Sequence, residues 1–161
     1  MAPPMAQRDL GDGYQLDDAR DRIDVAAVHD YLSTQSYWAA GIALEQVDQS
    51  TRDSYRVIGL YHHGAQVGFC RTVSDGSRIA YLADVYVLDA HRGRGLGIEL
   101  VREAVVNGPA VRRWLLHTDD AQGLYAKFGF GPPSPRVMEL DTRDLVDPVG
   151  EAVEEPELEL D

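Results

Sequence analysis

The chain has 161 residues, 44% of them hydrophobic, and a formal net charge of −12, which suits one compact domain with a proper core. Ten acids and one base fall in residues 139–161, a local charge of −9, so the other 138 residues carry only −3. A nearly balanced body without a basic stripe excludes nucleic acid as the partner, and no apolar run reaches the roughly 18–20 residues of a membrane span. The lone cysteine, Cys70, allows no internal disulfide, and residues 1–6 lack a signal-peptide core, so a cytoplasmic protein is expected.

Residues 1–12 hold two prolines with glycine and aspartate breaks and no periodicity, and are expected to be disordered. Residues 14–17 alternate and predict a short first strand. Asp24 then caps a helical pattern, with Val25, Val28 and Leu32 apolar at three and four spacing, running to about Gln35. Residues 36–42 form an aromatic loop before a second helix over 43–53, whose Leu44, Val47 and Thr51 face inward. Tyr37 and Trp38 in that loop are either a hydrophobic plug on the core or one wall of a substrate pocket.

Residues 55–61 and 66–73 read as a hairpin around His62-His63-Gly64. Adjacent histidines there should point to opposite sides, and no zinc spacing occurs anywhere, so no metal is expected. A turn at 74–77 leads into a central strand whose segment 81–88 is apolar apart from Asp84. Residues 89–92 are turn material, followed by glycines at 93, 95 and 97 and a helix with Ile98, Leu100, Val101, Ala104 and Val105 on one face. It stops near Asn107-Gly108-Pro109.

A strand, a glycine-rich turn and a helix start leave backbone N–H groups unpaired, and the helix dipole adds partial positive charge. Arg92 and Arg94 bring full charges to the same place, so a phosphate group belongs there. The spacing decides against two ligand classes. Gly97-Ile98-Glu99 lacks the Gly-Lys-Ser/Thr of a P-loop, and Ile98 and Leu100 stand where a dinucleotide fingerprint needs glycine.

Beyond the helix, 111–117 predicts a strand, Asp119 or Asp120 caps a short helix over 121–128, and Gly129 closes it. Pro132, Pro133 and Pro135 stiffen the connection to a last alternating strand, 136–140. The acidic tail, 142–161, is expected to stay unpacked as a solubilising or interaction arm, leaving 13–141 as the domain.

Arg92-x-x-Gly95-x-Gly97 after Val85-Tyr86-Val87 resembles the coenzyme A loop of the Gcn5-related N-acetyltransferases (GNAT family). The segment Gly123-Leu124-Tyr125-Ala126-Lys127-Phe128-Gly129-Phe130, about 30 residues on, resembles that family's second landmark. The resemblance spans roughly 14–140 and is greatest to a bacterial subgroup. It implies an α/β (α+β) GNAT fold, a mixed six- to seven-stranded sheet flanked by about four helices. There the central strand splays from the strand that follows the glycine-loop helix, and acetyl-CoA enters the gap. Main chain at Val85, Tyr86 and Val87 would pair with the pantetheine amides as an added strand does. N–H groups of Gly93, Arg94, Gly95, Leu96, Gly97 and Ile98, with the Arg92 and Arg94 side chains, would hold the diphosphate. Tyr37 and Trp38 would overhang the acceptor.

The resemblance also makes Tyr125 the general acid to the leaving thiolate, protonated at neutral pH as an ordinary phenol is. Many relatives carry a glutamate where this chain has Ala83. Asp84 is the nearest carboxylate, although strand alternation turns it away from 83 and 85. It is either a base, direct or through water, or a structural acid that needs an arginine or N–H partner. The expected reaction is direct acetyl transfer in a ternary complex to a primary amine. A small amine is favoured, because Tyr37 and Trp38 attract cations; a protein N-terminus or lysine is the alternative. A non-catalytic acyl-CoA sensor and a scaffold working through the acidic tail are the rival classes, and a homodimer through the aromatic loop or a sheet edge stays open.

Overall fold

A computed structural model describes residues 7–148, which fall into two units divided after Phe130. In the first unit the chain runs β1 (Gln7–Gly11), β2 (Tyr14–Asp17), α1 (Val25–Gln35), α2 (Leu44–Asp53), β3 (Arg56–His62), β4 (Ala65–Ser74) and β5 (Ile79–Val87). Then come α3 (Leu96–Val105), β6 (Arg113–Leu115) and α4 (Gln122–Ala126). The strands form one six-stranded sheet in sequence order, antiparallel except for the parallel β5–β6 pair. This is the mixed α/β sheet with four helices that the sequence implied.

Apolar residues divide between the two faces of the sheet as the strand period requires. On one face Leu16, Ile58, Leu60, Cys70 and Leu82 pack with Leu96, Leu100, Val101 and Ala104 of α3 and with Tyr125. On the other, Val57, Phe69 and Tyr86 pack with Val28, Tyr31 and Leu32 of α1 and Val47 of α2. Asp24 accepts a hydrogen bond from Ala27 N at 3.0 Å, the expected cap of α1.

Four expectations are corrected. Gln7–Gly11 is a strand, where residues 1–12 were expected to be disordered; residues 1–6 lie outside the described residues. The tight turn Gly11-Asp12-Gly13, with φ of 85°, 53° and 82°, folds it back onto β2. The strand expected over 111–117 shortens to Arg113–Leu115, because only three of its residues find partners on β5. The expected last strand, 136–140, is absent: these residues carry no regular structure and Met138 is 95% exposed. Alternation alone does not make a strand without a ladder partner. His62 and His63 do not point apart, since their ring centroids lie 4.2 Å from one another. His63 sits in the turn at φ 47°, outside the strand, so alternation does not govern it.

In the second unit Asp141 accepts from Arg143 N at 3.0 Å and starts a single helical turn, Thr142–Asp144. The expected tail falls partly here; residues 149–161 lie outside the described residues. No described helix is long and apolar enough to cross a membrane.

Candidate active site

The parallel pair β5–β6 is joined only at Ile79–Arg113, Ala80–Trp114 and Tyr81–Leu115. β5 continues to Val87 without that partner, so a gap opens between the strands at the C-terminal end of the pair. The sheet's ordinary ligand crevice lies there too, outside the carboxyl ends of parallel strands.

At the mouth of the gap β5 is irregular. Phe69 faces Tyr86 and Arg71 faces Ala83, so β5 carries an extra residue relative to β4. The bulge is at Asp84, whose φ is 55°. Val85 and Val87 thereby join the α3 side, with Val85 packed against the core cluster there, and Tyr86 joins the α1 side. The bulge also alters the alternation expected of Asp84, which stays turned away from Val85 but shares the side of Ala83, the residue opposite Arg71. Its carboxylate accepts from Arg71 Nε at 2.6 Å and from Trp38 Nε1 at 2.9 Å. The residue that supplies the required arginine, Arg71, was legible only as a charge inside the apolar strand Phe69-Cys70-Arg71-Thr72-Val73.

The aromatic loop between α1 and α2 spans the mouth. Trp38 reaches the bulge on β5, while the Tyr37 hydroxyl accepts from Asp119 N at 2.8 Å, in the segment between β6 and α4. The two rings meet edge to face at 5.0 Å. Both side chains remain substantially exposed, Tyr37 at 51% and Trp38 at 42%, so they form a rim over the mouth and not a buried plug.

Tyr125 approaches from the α3 side and is buried to 8% exposure. Its hydroxyl makes no hydrogen bond among the described residues. Burial pushes its pKa up to about 12, with Cys70 and Tyr37 adding to the effect. It is a phenol that keeps its proton. Cys70, distant in sequence, lies in the same core cluster; burial pushes its thiol up to about 12 as well, which leaves it inert as a nucleophile.

The glycine turn follows β5. Gly93 and Gly95 take φ of 80° and 75°, a conformation that favours glycine. Gly95 is the N-cap of α3, and the first bond inside the helix runs from Glu99 N to Gly95 O. Among the described residues the N–H groups of Gly93, Arg94, Gly95, Leu96, Gly97 and Ile98 make no protein hydrogen bond. Gly97 is more telling than Gly95: it has an ordinary φ, and an added Cβ would meet only Leu124 Cδ2 at 3.9 Å. Nothing in the fold requires glycine there.

The two arginines of the turn part company. Arg92 donates from Nε to Val87 O at 2.9 Å and from Nη2 to the Tyr31 hydroxyl at 3.1 Å, and it pairs with Asp89. It therefore fastens the turn to β5 and α1. Tyr31, stacked on Tyr86 at 3.9 Å, is a partner the sequence did not single out. Arg94 stands over the Tyr14 ring at 6.0 Å, beside His91, whose Nδ1 is 2.7 Å from the Tyr14 hydroxyl. Burial and the neighbouring His63 and His91 push the pKa of His62, which stacks on Tyr14, downward. Among the described residues no group of three or more His, Cys, Asp or Glu is placed to hold a metal ion.

Comparison with known proteins places this geometry. Residues 53–132 match the model of the acetyltransferase (GNAT) domain. A candidate acetyltransferase from Gibberella zeae is 40% identical over 127 residues, 65% of this chain and 71% of that protein. The chain belongs to the GNAT acetyltransferase family. A crystal structure of a candidate GNAT-family acetyltransferase from Xanthomonas campestris pv. campestris matches with a TM-score of 0.74 at 36% identity, over 80% of this chain and 92% of that one. A candidate acetyltransferase from Deinococcus radiodurans, at 22% identity and TM-score 0.67 over 87% and 95% of the chains, shares the fold. The GNAT match takes in β5, the glycine turn, β6 and α4, while the aromatic loop with Tyr37 and Trp38 lies before it.

Proposed function

We propose that this GNAT protein is an acetyl-CoA-dependent N-acetyltransferase that moves the acetyl group directly to a primary amine. The observation that carries this reading is the row of unpaired N–H groups from Gly93 to Ile98 beside a Gly97 that the fold itself does not need. Six donors at a helix start suit a diphosphate, since the helix terminus contributes about 0.3–1 kcal/mol per anion, up to about 2 when partly buried, and the N–H groups share the rest. Bound acetyl-CoA supplies a thioester carbonyl and a thiolate leaving group. The unpaired stretch of β5, with Val85, Tyr86 and Val87, offers main chain to the pantetheine amides.

Three residues have distinct tasks in this reading. Tyr125 holds a proton at its hydroxyl for the departing thiolate, and burial keeps it there through the neutral range. Arg92 acts through its grip on Val87 and Tyr31, which fastens the turn to β5 and α1. Asp84, with Arg71 and Trp38 on its two oxygens, positions the rim and is not the base. Buried Cys70 leaves direct transfer as the route, with no acyl-enzyme. Tyr37 and Trp38 favour a small cationic acceptor.

Calorimetric titration with acetyl-CoA tests the reading. Micromolar binding to the wild type, lost in Gly95→Trp, supports it. Absence of binding to the wild type overturns it.

A further inference from the structure

Three histidines gather beside Arg94, and the reading above gives them no task. Tyr14 and His62 stand directly opposite one another on β2 and β3, so their rings share a face and stack at 4.2 Å. His91, in the turn that follows β5, lies 5.0 Å from the His62 ring and puts Nδ1 2.7 Å from the Tyr14 hydroxyl. His63 lies 4.2 Å from His62 and covers Gly13, where an added Cβ would meet its ring at 2.2 Å. The Arg94 guanidinium stands 6.0 Å from the Tyr14 ring centre. The group has no counter-ion within the protein. Among the described residues no carboxylate pairs with His62, His63, His91 or Arg94, although the chain carries a net charge of −12. Asp89, beside His91, is taken by Arg92. Neither Arg94 nor His91 Nε2 has a hydrogen-bond partner among the described residues.

We infer that His62, His91 and Arg94, set on the Tyr14 ring, form a second anion site that takes a phosphate monoester beside the diphosphate row. The inference rests on the acetyltransferase reading for the carrier, since coenzyme A bears such a group on its ribose. Arg94 belongs to the glycine turn and to the cluster, so one ligand can reach both. A phosphate monoester is close to a dianion at neutral pH, its second pKa being about 6. The planar guanidinium suits its oxygens, and His91 Nε2 supplies a further donor. His62 answers by changing charge. Burial, His63 and His91 hold its pKa below the ordinary value of about 6.5, and Arg94 adds to this. A dianion reverses the balance, so binding draws a proton onto His62. The titratable and charged groups around it are Asp12 in the β1–β2 turn, whose backbone carbonyl it bonds, Tyr14 on β2, His63 in the β3–β4 turn, Asp89 and His91 after β5, and Arg92 and Arg94 in the glycine turn.

Two measurements test this. The first is calorimetric titration with acetyl-CoA and with acetyl-dephospho-CoA, which lacks only the ribose phosphate, at about pH 7 in two buffers of different ionisation enthalpy. The wild type is expected to bind acetyl-CoA about tenfold or more tighter than the dephospho form, and to take up protons only with the former. His91→Gln and Arg94→Gln are expected to shrink that ratio, and His62→Gln to abolish the uptake; binding of the dephospho form is the control for folding. Equal wild-type affinity for the two compounds, or a ratio that all three variants keep, overturns the inference and leaves the acetyltransferase reading standing. The second measurement follows histidine proton resonances during titration with adenosine 3′-monophosphate. Those of His62 and His91 are expected to move, with His62 titrating at higher pH than in the free protein. No movement of either overturns the inference. Movement in a protein that binds neither acetyl compound keeps the anion site and overturns the acetyltransferase reading.

Discussion

Arg71 donates to Asp84 at 2.6 Å across the one bulge of β5, and the acceptor of that bond has a φ of 55°. A carboxylate in the left-handed region, holding an arginine on one oxygen and an indole on the other, fixes the shape of the mouth. Asp84→Asn keeps a side chain tolerant of that backbone and is expected to cost about 1–3 kcal/mol in urea unfolding, as a hydrogen-bonded charge is lost. Acetyl-CoA affinity should hold while KM for the acceptor rises. Asp84→Ala should cost more, because the backbone strain remains. Equal loss of both affinities would contradict the assignment of Asp84 to the acceptor rim.

Gly97→Ala separates fold from ligand. An alanine there meets only Leu124 and gains helix propensity, so thermal stability should be unchanged or higher by up to about 1 kcal/mol. Acetyl-CoA affinity should nevertheless fall about tenfold or more, about 1.4 kcal/mol. Unchanged affinity by calorimetry would remove Gly97 from the phosphate cradle.

Tyr125→Phe should lower kcat by about 100-fold with acetyl-CoA affinity retained. The pKa of Tyr125 is pushed up to about 12, so the wild-type rate should show no basic limb from this residue below about pH 12. Stability follows with a definite sign. Tyr61 is likewise pushed up to about 12 by burial, and both exceed the ordinary tyrosine value of about 10. The unfolded chain therefore ionises first. The stability these two groups contribute is present below about pH 10 and is lost as pH rises from there through about 12. Chemical denaturation across that window measures it.

The ion pair of Arg56 and Glu103 closes the end of α3 over the sheet, with Nη2 to Oε1 at 2.8 Å and both side chains buried. Arg56 Nε also reaches Asp18 at 3.1 Å. Burial raises the carboxyl pKa of Glu103, but hydrogen bonds from Asn107 and Arg56 outweigh it and the net shift is downward. Its stabilisation is therefore full above the ordinary glutamate range and is lost as pH falls through the lowered value. Glu103→Ala leaves Asp18 as a carboxylate partner of the buried guanidinium but removes the bonds to Arg56 Nη2 and Asn107, and should cost about 1–3 kcal/mol. The exposed pair Arg52–Asp48, broken by Asp48→Ala, should cost no more than about 1. Parallel unfolding curves of the two variants check both figures.

Most helices and strands were legible because their apolar residues recur at the right period: Val25, Val28 and Leu32, or Leu100, Val101 and Ala104. The glycine turn was legible because residue type and spacing decide what it can bind. The mouth was not. The bulge at Asp84 is a property of two strands in register, and no window along β5 contains the strand it is measured against. Arg71 and Asp84, 13 residues apart, meet through that register, and so do Tyr81 and His117. β1 was passed over because its exposed, polar residues carry no hydrophobic signal, although Asp12-Gly13 is a hairpin turn dipeptide. The alternating segment 136–140 misled in the opposite direction, having the pattern of a strand and no ladder.

The brief pairing of β5 with β6 has a consequence for the protein before any ligand arrives. From Leu82 onward β5, next to the last strand of the sheet, presents a bare edge, and bare edges recruit stray strands from other chains. Most proteins shield such edges with charge or proline, whereas here the shield would be a metabolite. In the proposed reading the resting supply of acetyl-CoA acts as a solubility factor. Protein stripped of it during purification should self-associate on warming, and adding the coenzyme back should suppress this even where no acceptor is present.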